Sequence, residues 1–271
     1  MKKQQGIALV MMLFIAAILA LITINFIHES NHQLKIAQRL QDKAQAISQL
    51  ENAKAEIVYE LLTKDTLSLE QQGWNFYLEP FELEGVEVRI QDLRGLFGLY
   101  GFVPRSEFAK LLGICKVQRV NNAAVAQKVL AEHNDESLPV DKLQRLYALL
   151  GKQSDTVRRC LKNNITRHNV GNFNPSVAPK ETLLAKLGNN QATEFLAVRG
   201  QGRGSLNDVF NKFNSAESFN GFSTLAGPYF RVILRSKVSQ SSWGEDIEFK
   251  IKLATPLDPI MFLSYQSGIN E

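Results

Sequence analysis

The chain is poor in the residues from which most catalytic and metal centres are built. Its 271 residues include only two cysteines, Cys115 and Cys160, which are too few for a disulfide framework and lack the spacing of a metal site. No block of five or six like charges occurs. The net charge of +4 is spread through mixed Lys, Arg, Asp and Glu, so there is no basic tail or stripe for nucleic acid. No Ser/His/Asp or Cys/His arrangement is legible. The stretch RGQGRGS (199–205) is neither a Walker loop nor a dinucleotide fingerprint, since no Lys-Ser/Thr follows its glycines. These absences argue against an enzyme. A calcium loop of the D-x-D-x-D-G kind is missing too, and Asp135, Glu136, Asp141 and Glu217 read as scattered surface acids. One apparent exception is HESNH (28–32), which matches H-E-x-x-H. It would set His28 and His32 on one helix face with Glu29 as base, but the remaining histidines, His133 and His168, have no cluster to supply a third ligand.

The opening MKKQQG is followed by the most informative segment. From Ile7 to Ile27 only Thr23 and Asn25 interrupt an apolar run of 21 residues. At about 1.5 Å per residue this matches a hydrocarbon core of about 30 Å. It is longer than the apolar part of a secretory signal, and nothing after Ile27 resembles a signal cleavage site. Lys2 and Lys3 set the N-terminus in the cytoplasm and the rest of the chain outside. A one-pass anchor and a segment cut at Gly6 both fit. The helix does not stop at the membrane: His28 to about Leu62 holds neither Pro nor Gly. Leu34, Ala37, Leu40, Ala44, Ile47, Leu50, Ala53, Ile57 and Leu61 recur at threes and fours.

A short basic leader ending in glycine, joined to one helix half in lipid and half amphipathic, resembles the superfamily of type IV pilins and type II secretion pseudopilins. The resemblance implies that a prepilin peptidase cuts after Gly6 and methylates the new N-terminus, Ile7. Most members carry a glutamate at the fifth mature position, which pairs with the N-terminal ammonium of the subunit assembled just before; here that position is Met11. An ionised group at bilayer depth is unfavourable by about 2.5–3.5 kcal/mol unless paired. A subunit with Met11 therefore offers an ammonium to the next subunit and has no acid with which to dock on a previous one. It is suited to starting a filament.

Beyond the helix, TKDTLSLEQQGWNFYLEPFE reads as a polar and aromatic connection. Val86, Val88 and Ile90 alternate with charged residues and predict a strand at 86–93. YFRVILRSKV and EDIEFKIKLAT predict an antiparallel pair at 229–238 and 246–255, separated by SQSSWG with Gly244 near the turn. Between the first strand and this pair, helices are expected at 104–113, 121–134, 139–150, 154–164, 179–188, 190–199 and 205–213. Pro104, Pro139, Pro179, Asp141 and Ser205 lie at or near their starts. The expected fold class is α+β: a long N-terminal transmembrane and amphipathic helix on a small antiparallel sheet, pilin-like, with a large all-α insertion. The division is a leader 1–6, a membrane span 7–27, a periplasmic helix and first strand 28–95, an insertion 96–225 and remaining strands 226–271.

Met11, the large insertion and IQDLRGLFGL (90–99) narrow the resemblance to the K-type minor pseudopilin of type II secretion. The last stretch is similar to that family's pattern hydrophobic-x-Asp-x-x-Gly-x-hydrophobic-Asn-hydrophobic, with Gly98 where Asn is usual. HNVGNFNPSVAPKETLLAKLG (168–188) and ATEFLAVRGQGRGSLNDV (192–209) resemble its second conserved stretch. The resemblance implies the tip subunit of a pseudopilus, starting its assembly and helping export across the outer membrane. It implies a single-pass inner-membrane protein with a periplasmic C-terminal domain. Implied partners are the I-type and J-type minor pseudopilins, prepilin peptidase and the inner-membrane secretion platform, with the H-type, secreted substrates or the secretin as further candidates. Ala8, Ala16, Ala17 and Ala20 are small residues available for helix packing in lipid. No cofactor is expected, calcium being suggested by the resemblance alone. Once exported, Cys115 and Cys160 are candidates for a disulfide pinning the insertion.

Alternatives are a minor pilin of a type IV pilus, a membrane zinc protease using HESNH, and a membrane-anchored helix-hairpin-helix DNA-binding protein. The last follows from LLAKLGNNQATEFLAVRGQGRGSLNDV (183–209). Its turn Gly188-Asn189-Asn190-Gln191 has one glycine and no apolar middle residue, so the backbone phosphate cradle of such hairpins is missing.

Overall fold

The computed structural model describes residues 2–100, 103–118, 120–130, 142–199, 208–209, 226–239, 241–252 and 258–268, with side chains from residue 10 onward. Helix α1, Lys2–Thr63, is one uninterrupted helix of 62 residues, about 93 Å long at 1.5 Å per residue. Its described side chains at 10–41 are exposed, Leu34 and Leu40 among them, and burial begins at Ala46. From there Ala46, Leu50, Ala53, Ile57 and Leu61 form the buried face. The stripe expected from the sequence is thus shifted at its centre, because Ile47 is 43 % exposed while Ala46 is fully covered. Asp65 caps a short helix α2, Thr66–Gln71, by accepting from the Ser68 N–H at 2.9 Å.

Helix α1 lies on a five-stranded antiparallel sheet of order β1-β2-β5-β6-β7. The strands are β1 Phe81–Leu83, β2 Val86–Asp92, β5 Tyr229–Val238, β6 Ser241–Ile251 and β7 Ile260–Ser267. Strand β2 pairs with β5 across the whole insertion, with Val88 opposite Leu234 and Ile90 opposite Val232. Val86, Val88, Ile90, Phe230, Val232, Leu234, Ile247, Phe249 and Ile251 join Leu50, Ala53, Ile57 and Leu61 in one core. The Ser236 hydroxyl donates to Gln49 Oε1 of α1 at 2.6 Å. Alternation along β5 and β6 sends Arg231, Asp246 and Glu248 to the opposite face.

That face receives the insertion. It contains β3 (Phe97–Gly98), α3 (Arg105–Ile114), α4 (Asn122–Leu130), α5 (Lys142–Leu150), α6 (Asp155–Asn164), β4 (Ile165–Thr166) and α7 (Lys180–Val198). Phe97, Phe108, Leu111, Leu112, Val125, Val129, Leu146, Leu150 and Leu161 give it a core of its own. A smaller cluster forms around Phe173, Leu183 and Phe195. Gly188 breaks α7 with φ +77°, so the two helices expected there are two arms of one kinked element.

Several expectations need correction. Strand β6 begins at Ser241, five residues early, and Gly244 pairs with Arg235 inside it instead of marking the turn. The reversal follows Val238 directly, with Ser239 at φ +55°. Strands β1 and β7 and helix α2 were not expected. The insertion is not purely helical, since β3 and β4 pair in parallel. The helix expected at 205–213 and the end of that at 121–134 fall largely outside the described residues, as do Asp141 and Ser205.

Candidate assembly site

The N-terminal part of α1 is the first candidate. Among the described residues α1 is the helix long and apolar enough to cross a membrane, and nothing in the structure covers its apolar window. Gly6 and Ile7 lie within the helical backbone. Met11, Ala16, Ala17 and Ala20 are exposed on its surface. The Thr23 hydroxyl donates to Leu19 O at 2.8 Å, so this polar group is satisfied inside the helix as a bilayer requires. No Asp or Glu occurs before Glu29. That first acid lies about 27 Å along the helix from Met11 and cannot substitute for a carboxylate at Met11's depth. His28 and His32 are exposed, and Glu29 accepts from Gln33 Nε2 at 3.1 Å. Among the described residues no three His, Cys, Asp or Glu side chains converge as a metal site.

The second candidate is the neck between sheet and insertion, where both family-like motifs meet. Asp92, at the end of β2, is fully buried. Its carboxylate accepts from Arg94 N–H at 2.9 Å, capping the turn Leu93–Gly95, and from Gly227 N–H at 2.7 Å on the returning chain. One side chain thereby clasps the exit and the re-entry of the insertion. Gln91 Nε2 donates to Val177 O at 2.9 Å and to Asp92 O at 2.7 Å. Asn174 caps the turn Pro175–Val177 through Ser176 N–H at 3.0 Å, and its own N–H reaches Arg94 O at 3.0 Å. Arg199 closes this corner, donating to Pro175 O at 3.2 Å and Ala178 O at 2.5 Å.

Gly95 is required by space. A Cβ there would lie 2.6 Å from Val177 O and 2.8 Å from Ala178 Cα, both backbone atoms that cannot yield without moving the turn. Gly95→Ala is expected to destabilise the chain by about 3 kcal/mol, checked by urea denaturation of the detergent-solubilised protein. A Cβ on Gly98, the position at which the motif it resembles has Asn, would lie 3.3 Å from His168 O, so there is little room for a side chain.

A buried ion cluster completes the docking. Arg231 donates to both carboxylate oxygens of Asp246, at 2.8 and 2.7 Å, to Lys162 O at 3.0 Å and to Asn163 Oδ1 at 3.3 Å. Lys162 also pairs with Asp246 at 2.8 Å. Glu248 meets His168 Nε2 at 2.9 Å, accepts from the Ser264 hydroxyl at 3.2 Å and has Arg167 at 3.8 Å. The sheet supplies Arg231 and the acids; the α6–β4 corner supplies Lys162, Arg167 and His168.

Two opposite pH effects follow. Burial pushes Asp92 up to about 6, against the two N–H groups that favour its charged form. At Asp246 and Glu248 burial also works upward, yet it is outweighed. Arg231 and then Lys162 hold Asp246 below its ordinary value, and His168, Arg231 and Arg167 do so for Glu248. A raised folded pKa favours the fold below it, so stability from Asp92 falls as pH rises from about 4 to about 6. The depressed pair act oppositely, losing their contribution only as pH drops through their folded values. In urea denaturation across pH, Asp92→Asn is expected to remove the slope between about pH 4 and 6 and leave the acid limb intact. Glu248→Gln should make the acid limb shallower, with Asp246 carrying the remainder, and leave the slope between about pH 4 and 6 in place.

Cys115, at the end of α3, and Cys160, in α6, are joined as a disulfide with Cα atoms 5.6 Å apart. The residues that sequence reading missed are Arg231, Asp246, Glu248, His168 and Gln91. For Arg231, Asp246 and Glu248 the available signal was the registered charge alternation of YFRVILRSKV against EDIEFKIKLAT; Gln91 and His168 had none.

No protein-family model matches the chain, and no curated protein matches it. Among solved structures it is similar to a chain of the GspK-GspI-GspJ complex from the enterotoxigenic Escherichia coli type 2 secretion system. The two are 13 % identical with a TM-score of 0.49, over 86 % of this chain and 99 % of that one.

Proposed function

We propose that this chain is a minor pseudopilin of type II secretion that begins the pseudopilus and stays at its tip. The observation that carries this reading is the apolar helix, without a carboxylate from Ile7 to His28 and continuous with the helix that carries the sheet. Cleavage at Gly6 would leave an ammonium on Ile7 available to a following subunit, while Met11 gives a preceding subunit's ammonium nothing to pair with. The insertion supports the same polarity. It adds bulk on the sheet face away from α1, which a subunit stacked above would meet. In this reading prepilin peptidase processes the chain, its α1 packs beside other minor pseudopilins, and the assembly sits on the inner-membrane platform facing the secretin.

The test is intact-mass measurement of the N-terminus from membranes with and without prepilin peptidase. The expected result is a methylated Ile7 start with the peptidase and a Met1 start without it. A Met1 start in both samples rejects the proposal.

A further inference from the structure

The distal part of the insertion holds a cleft that the assembly reading does not use. It lies between the turn after α3 and the turn before α6, with a volume of about 500 Å³. That falls within the range of about 300–1,000 Å³ typical of ligand sites. Lys116, Gln118, Lys152, Gln153 and Thr156 line it, and disulfide-bonded Cys115 forms part of its wall. Its cap residue Ser154 is about 12 Å along α6 from Lys162, where that helix meets the sheet.

The walls are held before any ligand arrives. Gln153 Nε2 donates to Gln118 O at 3.2 Å and to Leu150 O at 2.7 Å, lacing one turn to the other. Lys116 occupies the left-handed region at φ +59°, fixed by its N–H on Gly113 O at 2.9 Å and by Val117 N–H on Leu112 O at 3.0 Å. The disulfide ties the same two segments covalently. Lys116, Gln118, Lys152 and Thr156 are exposed, and neither lysine is paired with an acid among the described residues. Asp155 is the acid beside the rim, outnumbered by the two lysines and by Arg158 and Arg159 one turn along α6.

We propose that this cleft binds an acidic, extended peptide segment of a partner protein. The Lys116 and Lys152 ammonium groups supply the charge complement, and the Gln118 amide and Thr156 hydroxyl suit peptide N–H and C=O groups. The chemistry does not favour nucleic acid: among the described residues that line the cleft none is aromatic and able to stack on a base, and two lysines are short of the phosphate-tracking stripe a duplex demands. This inference goes beyond the tip reading and does not need it.

The test uses the full-length protein in detergent micelles and fluorescein-labelled hexaglutamate, followed by anisotropy at low and high salt. Saturable, salt-weakened binding is expected, tighter than for hexaglutamine. Lys116→Glu with Lys152→Glu should weaken it by on the order of tenfold or more. Lys116→Arg with Lys152→Arg should retain it, and reversing Lys110 and Lys128, exposed outside the cleft, should leave it unchanged. If the double reversal fails to fold, Lys116→Gln with Lys152→Gln carries the comparison. Equal binding of hexaglutamine, unchanged affinity after loss of both charges, or displacement of the peptide by duplex DNA at lower concentration overturns the proposal.

Discussion

Replacing Arg231 by alanine is expected to destabilise the protein by about 3–5 kcal/mol, the range for removing one member of a buried ion pair. The guanidinium is almost wholly buried, and its hydrogen bonds reach Asp246, Lys162 O and Asn163. Asp246 is 5 % exposed in the native fold, and among the described residues the half-exposed Lys162 is the cationic partner it would keep. The origin of the loss is separable. Arg231→Met combined with Asp246→Leu removes both charges and fills the volume, so it should destabilise far less than Arg231→Ala alone. Urea denaturation of the full chain in detergent measures both variants. A loss under about 1 kcal/mol for Arg231→Ala would show that the cluster is solvated and that the insertion is held by the neck instead.

The same cluster marks where the sequence stops being readable. Strand β5 and the long helix follow from alternation and from the absence of Pro and Gly. Both signals are local, and the core they build needs only that apolar residues face inward. Strand β7 escaped because its register slips between Glu248 and Phe249, so Ile260, Phe262 and Tyr265 do not keep period two. Strand β6 seemed to start late because Ser241–Trp243 lack apolar alternation, and pairing with the long β5 imposes the extension. The candidate site divides likewise. Met11 is an absence at a fixed distance from Gly6 and can be seen in one dimension. Arg231, Asp246 and Glu248 look like the solvent face of a sheet until a segment more than sixty residues earlier in the sequence covers them. Asp92 was visible as part of a motif, while its clasp on Gly227, 135 residues away, was not.

On the proposal that this chain is a tip subunit, changing Met11 to glutamate should redistribute the protein from one end of the filament to positions along it. The substitution introduces a carboxylate on an exposed helix face at a depth where α1 has none. Alone in lipid that charge is unfavourable by about 2.5–3.5 kcal/mol, an energy recovered only by pairing with an ammonium from another subunit. Met11→Glu therefore supplies the interaction that lets a subunit add after one already assembled, which the natural chain lacks. The proposed cleavage at Gly6 should be unaffected, because the change lies five residues beyond it. Gold labelling of the insertion on sheared filaments distinguishes the cases: end-only label for the natural chain, and label along the shaft, with fewer filaments started, for the variant. Should the insertion's bulk alone block stacking, the variant will remain at the end while initiation still falls. Label along the shaft for the unmodified protein would remove the role assigned to Met11, since a subunit without an acid would then be extending the filament.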